Sequence, residues 1–176
     1  MTRIYENPGF ARRNNISVLV LVAVTIYGFF ELYTAFFTGS QDQMAAMFGV
    51  LFLGGGIYGA YTIWSEARDT VMTLDLDPAT RRAKISLWRP FSTHVIDEPV
   101  DALTDWRHWV KVGKRNMQTH FVIFNAPSYP HPLHVELIKG ELPEGFRQVS
   151  PAAVEEFEEN TGRRVGPAEA AAAGAG

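Results

Sequence analysis

The chain has 176 residues, with 16 basic and 19 acidic side chains, a formal net charge of −3, and no cysteine. The lack of cysteine excludes disulfides, thiolate catalysis and thiolate metal sites. Because the chain has no strongly basic block, its charge pattern gives no support for nucleic-acid binding.

The first third of the chain predicts a short arm followed by a membrane hairpin. Residues 1–15 contain a proline, a glycine and paired asparagines, and we expect an irregular arm there. Two apolar stretches follow over residues 16–37 and 43–64, with Glu31 as their one charged residue. A bilayer core about 30 Å thick needs about 20 apolar residues as a helix. Because only Thr38–Asp42 separates the stretches, we expect two spanning helices that return antiparallel.

Basic residues near the two stretches predict their orientation. Arg12 and Arg13 precede the first stretch, Arg68 follows the second, and the short link between the stretches has none. Lys and Arg favour the cytoplasmic side. We therefore expect both termini in the cytoplasm, with the protein in a bacterial inner membrane. The first stretch is too long for the apolar region of a signal peptide, so we expect it to be retained.

Residues 71–162 predict a cytoplasmic β-rich domain with a C-terminal helix. Alternating apolar residues indicate strands, and a turn with proline at its second position joins the first two. Ser150 and Pro151 are typical of a helix start, and Gly162 of its end. Residues 163–176 are rich in Ala and Gly and are expected to be disordered. The expected strands are Val71–Asp77, Ala83–Trp88, Thr93–Ile96, Trp106–Val112, Thr119–Asn125 and Leu133–Ile138.

This order of elements resembles bacterial membrane proteins that carry a pleckstrin-homology-like domain after a helical hairpin. In that family an "ipl-dI" type stretch follows the first strands, and here Ile96–Leu103 occupies its place. The likeness covers about residues 43–162 in pattern, and it departs in the acidic final helix and the PSYPHP loop. It implies a small β-barrel or sandwich, capped by a helix and used for binding. The family shares no catalytic set, so the resemblance implies no site residues.

Small residues on the second stretch predict a helix-packing or partner interface. They let helix backbones approach closely in a membrane. The alternative is that this face packs only on the protein's own first helix. The predicted interface residues on this stretch are Gly49, Gly55, Gly56, Gly59 and Ala60.

Glu31 is the second candidate for the partner interface, because an ionisable residue inside a membrane is costly and tends to be functional. Its carboxylate is expected to pair with a partner's arginine, form part of a proton relay, or bond to Tyr27 or Tyr33. The alternative is that it reaches the outer headgroups. If Glu31 is functional, contact with a partner is preferred to proton transport, because a lone carboxylate is a poor relay.

A basic strip in the β-rich domain predicts contact with a lipid surface. It consists of Arg107, Lys111, Lys114 and Arg115, with Trp109 among them. Each cation close to anionic lipid contributes about 1 kcal/mol. The alternative is an ordinary solvated strand and turn.

Histidines and catalytic motifs give no support for a metal site, a cofactor or an enzyme. His131 and His134 lie in a proline-rich loop that leads into a strand, whereas His94, His108 and His120 lie on separate strands. Metal sites need converging ligands. The sequence also has no nucleophile elbow, phosphate-binding loop or HExxH motif.

The sequence therefore leads to one preferred function and two alternatives. The preferred function is a non-enzymatic accessory, assembly or scaffolding subunit of a larger inner-membrane complex. Its partners would be the bilayer and other integral membrane proteins, or further copies of itself. The first alternative is a sensor of anionic lipid or of the membrane surface. The second is an oligomeric channel or transporter with Glu31 lining its pore.

Overall fold

The computed structural model of the protein describes residues 1–37, 43–113, 116–163 and 165. The chain divides into two compact units. The helical unit comprises Gly9–Arg68 and Arg89–Ser92. The sheet unit comprises Met1–Pro8, Asp69–Trp88 and the chain from Thr93 onward.

The helical unit contains two long helices, α1 (Phe10–Phe37, 28 residues) and α2 (Gln43–Ala67, 25 residues). Both are long and apolar enough to cross a membrane. Helix α1 starts before the apolar stretch, because residues 10–15 are compatible with a helix and Gly9, with φ of +78°, breaks the backbone just before it. Helix α2 continues beyond Trp64 for a further three positions, Ser65, Glu66 and Ala67.

The sheet unit begins with a four-stranded antiparallel sheet in which neighbouring strands follow chain order. The alternation and turn of the second and third strands match the sequence prediction closely, because each strand buries one face. Leu74, Leu76 and Ile85 are among the buried residues. The strands are β1 (Thr2–Glu6), β2 (Val71–Asp77), β3 (Arg82–Arg89) and β4 (Ser92–Pro99).

Strand β1 and the first residues of α1 together replace most of the irregular arm expected over residues 1–15, and that prediction is wrong. Ile4 and Tyr5 are only 7% and 3% exposed. Strand β1 pairs with β2, although both long helices lie between these two strands in the sequence. The Tyr5 hydroxyl donates a hydrogen bond of 2.7 Å to the carbonyl of Glu136. Burial raises the pKa of Tyr5 well above its ordinary value, and Glu136 adds to the effect.

A three-stranded antiparallel sheet and two helices complete the sheet unit. Ser150 caps the last helix by accepting a hydrogen bond from the Ala153 N–H at 3.3 Å, and Gly162 ends the helix with φ of +66°. These two ends match the sequence prediction. The elements are β5 (Thr104–Val112), β6 (Gln118–Asn125), β7 (Leu133–Glu136), α3 (Phe146–Val149) and α4 (Pro151–Thr161).

One apolar core unites the strands and helices of the sheet unit. Trp106 stacks on Phe124 with ring centroids 4.2 Å apart and meets Phe146 edge-on at 6.2 Å. Phe124, Phe146 and Phe157 are fully or almost fully buried. The α+β class, with two long apolar helices before a β-rich region and a final helix, is therefore confirmed. Membrane insertion and the pleckstrin-homology-like fold stay predictions.

The predicted disordered tail over residues 163–176 is wrong at its start. Val165 is 6% exposed, and its N–H donates to the Glu158 carboxylate at 2.7 Å. The carbonyl of Val165 accepts a hydrogen bond from Arg147 at 3.2 Å. These contacts order a position where composition alone suggests none. Residues 164 and 166–176 lie outside the described part of the chain.

Candidate functional site

Three of the small residues predicted to form an interface on α2 face α1 directly. A Cβ added at Gly49 would lie 2.6 Å from Leu32 Cγ, and one added at Gly59 would lie 2.8 Å from a Leu21 methyl group. At Gly56 the added carbon would overlap a threonine hydroxyl of α1. These glycines therefore pack the protein's own two helices together and are not available to a partner.

Gly55 is different, and so is its neighbour Gly54, which belongs to the same run of three glycines in the sequence. An added Cβ at either position would meet nothing within 4 Å. Leu51 and Tyr58, one helical turn away on either side, are 62% and 72% exposed. Ala60 is partly exposed. The structure thus splits the predicted interface into a packed face and an open face, a division that requires knowing how α2 is rotated about its axis.

Glu31 makes its contacts within its own helix. The Tyr27 side chain, one turn earlier on the same helix, lies close to the Glu31 carboxylate. The backbone carbonyl of Glu31 accepts a bond of 2.9 Å from the Thr34 hydroxyl. Of the two tyrosines considered from the sequence, Tyr27 is therefore the one that the structure places on Glu31.

The basic strip lies on the face of β5 that is turned away from the core. Arg107, Trp109 and Lys111 are exposed on this face, and 45% of Trp109 is exposed. Trp109 pairs across the sheet with Phe121 on β6, with ring centroids 5.5 Å apart. The strip is therefore an aromatic pair flanked by two cations. Lys114 and Arg115 lie outside the described residues.

The rest of this outer sheet face is mixed in charge. Glu136 on β7 lies opposite Phe121, and His134 lies opposite Ile123. Burial lowers the pKa of His134, while nearby Asp69 acts in the opposite direction. Positive charge is consequently concentrated along β5 at the edge of the three-stranded sheet.

The opposite face brings together two histidines that the sequence analysis keeps apart. His108 Nε2 and His120 Nδ1 are 3.1 Å apart, and the two rings stack at an angle of 6°. Phe157 packs edge-on against His108 at 5.1 Å, and the Glu156 carboxylate accepts the His108 backbone N–H at 3.1 Å. Only the register of β5 and β6 could have predicted this contact. His108 pairs with Val122, so it lies diagonally opposite His120 on the same face of the sheet.

The environment of His108 disfavours its charged form. His108 is only 8% exposed, and its Nδ1 atom has no hydrogen-bond partner among the described residues. Burial lowers the pKa of His108, and the proximity of His120 lowers it further. Glu156 partly opposes both effects. His108 is therefore held neutral at neutral pH.

A second polar cluster surrounds the residue that opens the sheet unit after α2. The Tyr129 hydroxyl donates to the Asp69 carboxylate at 2.8 Å, and the Asp69 carbonyl accepts the His134 N–H at 2.8 Å. The rings of His94 and His131 lie 6.2 and 6.1 Å from that of Tyr129. Within the described ranges, no group of three or more His, Asp or Glu side chains is arranged to hold a metal ion.

Chemically, these surfaces offer apolar packing, hydrogen bonding and positive charge. The glycine face fits a helix, and the strand with Trp109 fits an anionic surface. No protein-family model matches the chain, and no curated protein matches it either.

Proposed function

We propose that the protein spans a bacterial inner membrane twice and serves as a non-enzymatic accessory, assembly or scaffolding subunit of a larger membrane complex. It docks laterally on another integral membrane protein, or on a further copy of itself, through the open face of α2. The observation that carries this proposal is that Gly54 and Gly55 are open while Gly49, Gly56 and Gly59 are occupied by α1.

Open glycines matter because helices in lipid gain little from hiding apolar surface and associate by close packing instead. Gly54 and Gly55 leave a shallow depression between Leu51 and Tyr58, which are large and exposed. A partner helix fits such a depression with its backbone close to that of α2. The other glycines of α2 already allow close packing against α1. Docking of a partner helix on Gly54 and Gly55 would use the same kind of close packing on a second face of α2.

The pairing of β1 with β2 supports the expected orientation. The helical hairpin connects two strands that are neighbours in one antiparallel sheet, with Thr2 opposite Leu76 and Glu6 opposite Thr73. Both ends of a membrane hairpin must then emerge on the same side. Arg12, Arg13 and Arg68 flank those ends and favour the cytoplasmic side.

The test is the size of the native complex after mild detergent extraction. Gly54→Leu and Gly55→Leu would fill the depression, and we expect the tagged protein to move from a defined complex to a smaller species on a native gel. Ile26→Leu, at a position on α1 that is 64% exposed, is the matched control and should leave the size unchanged. A complex of unaltered size in both glycine variants would contradict docking through this face.

Contact with anionic lipid is the second candidate function, and the exposure of Trp109 between two exposed cations favours it. Tryptophan is enriched at membrane interfaces and basic side chains attract anionic headgroups. In this candidate function the edge strand β5 senses or holds the membrane surface.

This second function is tested on the full chain, because residues 68–162 alone would lack strand β1. A solvatochromic dye on Val112→Cys, 61% exposed at the end of β5, reports the polarity near the strip. We expect a blue shift in bilayers containing phosphatidylglycerol that is reversed by salt and is reduced by Arg107→Gln with Lys111→Gln. The same dye spectrum in neutral and anionic bilayers would contradict lipid contact.

A further inference from the structure

The connection between β3 and β4 belongs to the helical unit, not to the sheet unit that contains most of both strands. We call residues Arg89–Ser92 the tip. The Phe91 N–H donates to the Asn15 side-chain oxygen at 3.2 Å. Arg89 donates to the Arg68 carbonyl at 2.7 Å, and its guanidinium lies over the Trp64 ring at 5.3 Å. The tip is therefore held by both helices.

These contacts place the tip where the apolar stretches end. The antiparallel packing puts Gly59 against Leu21, and continuing this register for six residues brings Asn15 level with about Ser65. Asn15 is the residue before the first apolar stretch, and Trp64 is the last residue of the second. In a spanning hairpin this level is the boundary between headgroups and acyl chains.

Phe91 is an unusual residue for a turn of this kind. Its side chain is 60% exposed and its φ is +57°, a backbone region that bulky residues rarely adopt. Glycine or asparagine would occupy it with less strain. The other described non-glycine residues with positive φ are polar or charged: Arg81, Asp105, Asn116 and Lys139. Strained backbone positions concentrate at functional and ligand-contact sites, so the exposed ring of Phe91 is a candidate for a contact outside the chain.

The charge around the tip complements lipid phosphate. Arg12 and Arg13 are exposed in the first turns of α1, and Arg89 lies on the tip itself. Glu66 is the nearby acidic residue at the same end of α2. Cations therefore outnumber anions at this level of the helical unit, as expected beside an anionic leaflet.

We propose that the tip is a membrane-interface anchor, in which the Phe91 ring inserts between phospholipid headgroups and Arg89, with Arg12 and Arg13, contacts their phosphates. The proposal rests on the proposed membrane-spanning hairpin. A bilayer is the favoured occupant because the tip contacts Asn15 on α1 and Trp64 on α2, where the two apolar stretches end. A protein partner at this position is an outcome that the experiment separates.

The absence of cysteine makes single-cysteine labelling straightforward. A fluorophore is attached to Ser92→Cys, next to Phe91, and separately to Ile26→Cys in the middle of α1, in the full chain reconstituted in phospholipid nanodiscs. Spin-labelled lipids carry the quencher either near the headgroup or deep in the acyl chain. We expect Ile26 to be quenched by the deep label and Ser92 by the shallow one, at least twofold above discs without spin label.

The two proposals fail in different ways. Quenching at Ile26 with none at Ser92 would overturn the anchor and leave the spanning hairpin in place, and it would point to a protein partner at the tip. No quenching at Ile26 would overturn both.

Two changes at Phe91 provide matched variants. Phe91→Asn tolerates positive φ but removes the ring, so quenching at Ser92 should fall at least twofold. Phe91→Trp keeps an interfacial aromatic side chain and should retain quenching. Equal quenching in the Asn variant and the parent would overturn the role of the ring.

Discussion

The imidazole rings of His108 and His120 lie nearly parallel with their centroids 5.2 Å apart, and a single N···N hydrogen bond of 3.1 Å joins them. Such a bond needs one nitrogen as donor and the other as acceptor. If both rings were protonated, two donors would face each other at this distance. The pair therefore accommodates at most one positive charge without rearrangement of β5 and β6.

The stability of the sheet unit should fall as the pH decreases below about 6.5. The folded-state pKa values of His108 and His134 are both lowered, chiefly by burial, from an ordinary value of about 6.5. The unfolded chain thus binds more protons between the unfolded and folded pKa values, and acid favours unfolding. Melting curves of the full chain between pH 7.5 and 5 measure the effect.

The matched variants for this prediction are His108→Gln and His131→Gln. The first should flatten the pH dependence, whereas the second, at an exposed position, should leave it in place. A melting temperature that is constant between pH 7.5 and 5 would show that neither His108 nor His134 is linked to folding.

Alanine at Gly28 should weaken the contact between the two helices, whereas alanine at Gly54 should not. A Cβ at Gly28 would lie 2.9 Å from the Gly49 carbonyl and would also overlap the backbone of Leu53, while at Gly54 it meets open space. Both changes raise helix propensity equally, so packing alone separates them. Overpacking costs about 1–3 kcal/mol.

The measurement for this pair is unfolding of the full chain by sodium dodecyl sulphate. Energy transfer between dyes on the two helices monitors the separation of the helices. Gly28→Ala should shift the midpoint to less detergent relative to Gly54→Ala. Coincident curves would mean that Gly28 and Gly49 are not in close contact.

Removing the Ser150 hydroxyl should destabilise the last helix. The hydroxyl accepts the Ala153 N–H in a residue that is 4% exposed, so Ser150→Ala leaves a buried donor without its partner. The expected loss is about 1 kcal/mol in the free energy of unfolding. Ser150→Thr keeps the oxygen and should recover most of it. Hydrogen exchange at Ala153 and Val154 reports the change locally.

Substitutions in β1 should affect stability according to which side of the strand they occupy. Ile4→Ala removes a 7% exposed side chain that packs against Gly145, and we expect a loss of about 2–5 kcal/mol. Arg3→Ala removes exposed ion pairs with Asp75 and Glu6 and should cost less than about 1 kcal/mol. Chemical denaturation of both variants decides this, and equal losses would argue against a buried β1.

Sequence patterns predicted the elements whose signals are local. The presence of the two long helices follows from the unbroken apolar stretches, although both helices extend beyond them. Strands β2, β3, β5 and β6 follow from the alternation of apolar and polar residues along each strand. Strand β1 has no such regularity. A register irregularity between Arg3 and Tyr5 puts Ile4 and Tyr5 next to each other in the core, and their partner strand lies some 70 positions away.

The candidate surfaces were predictable in composition but not in orientation. Glycines marked α2 as a packing helix, yet which of them meet α1 depends on a helix rotation that sequence spacing leaves open. The sequence alone does not distinguish Phe91 from any other single aromatic residue in a turn. Its exposure, its positive φ and its hydrogen bond to Asn15 on α1 become evident only in the three-dimensional structure.

The pairing of β1 with β2 also constrains the order of events during synthesis. Thr2–Glu6 is synthesised before the two long helices, whereas its partner strand, Val71–Asp77, is synthesised after them. Strand β1 must therefore remain unpaired until both helices and β2 have been synthesised. We expect a folded tag fused before Thr2 to hinder this late pairing of β1 with β2, whereas the same tag fused after Gly176 should not.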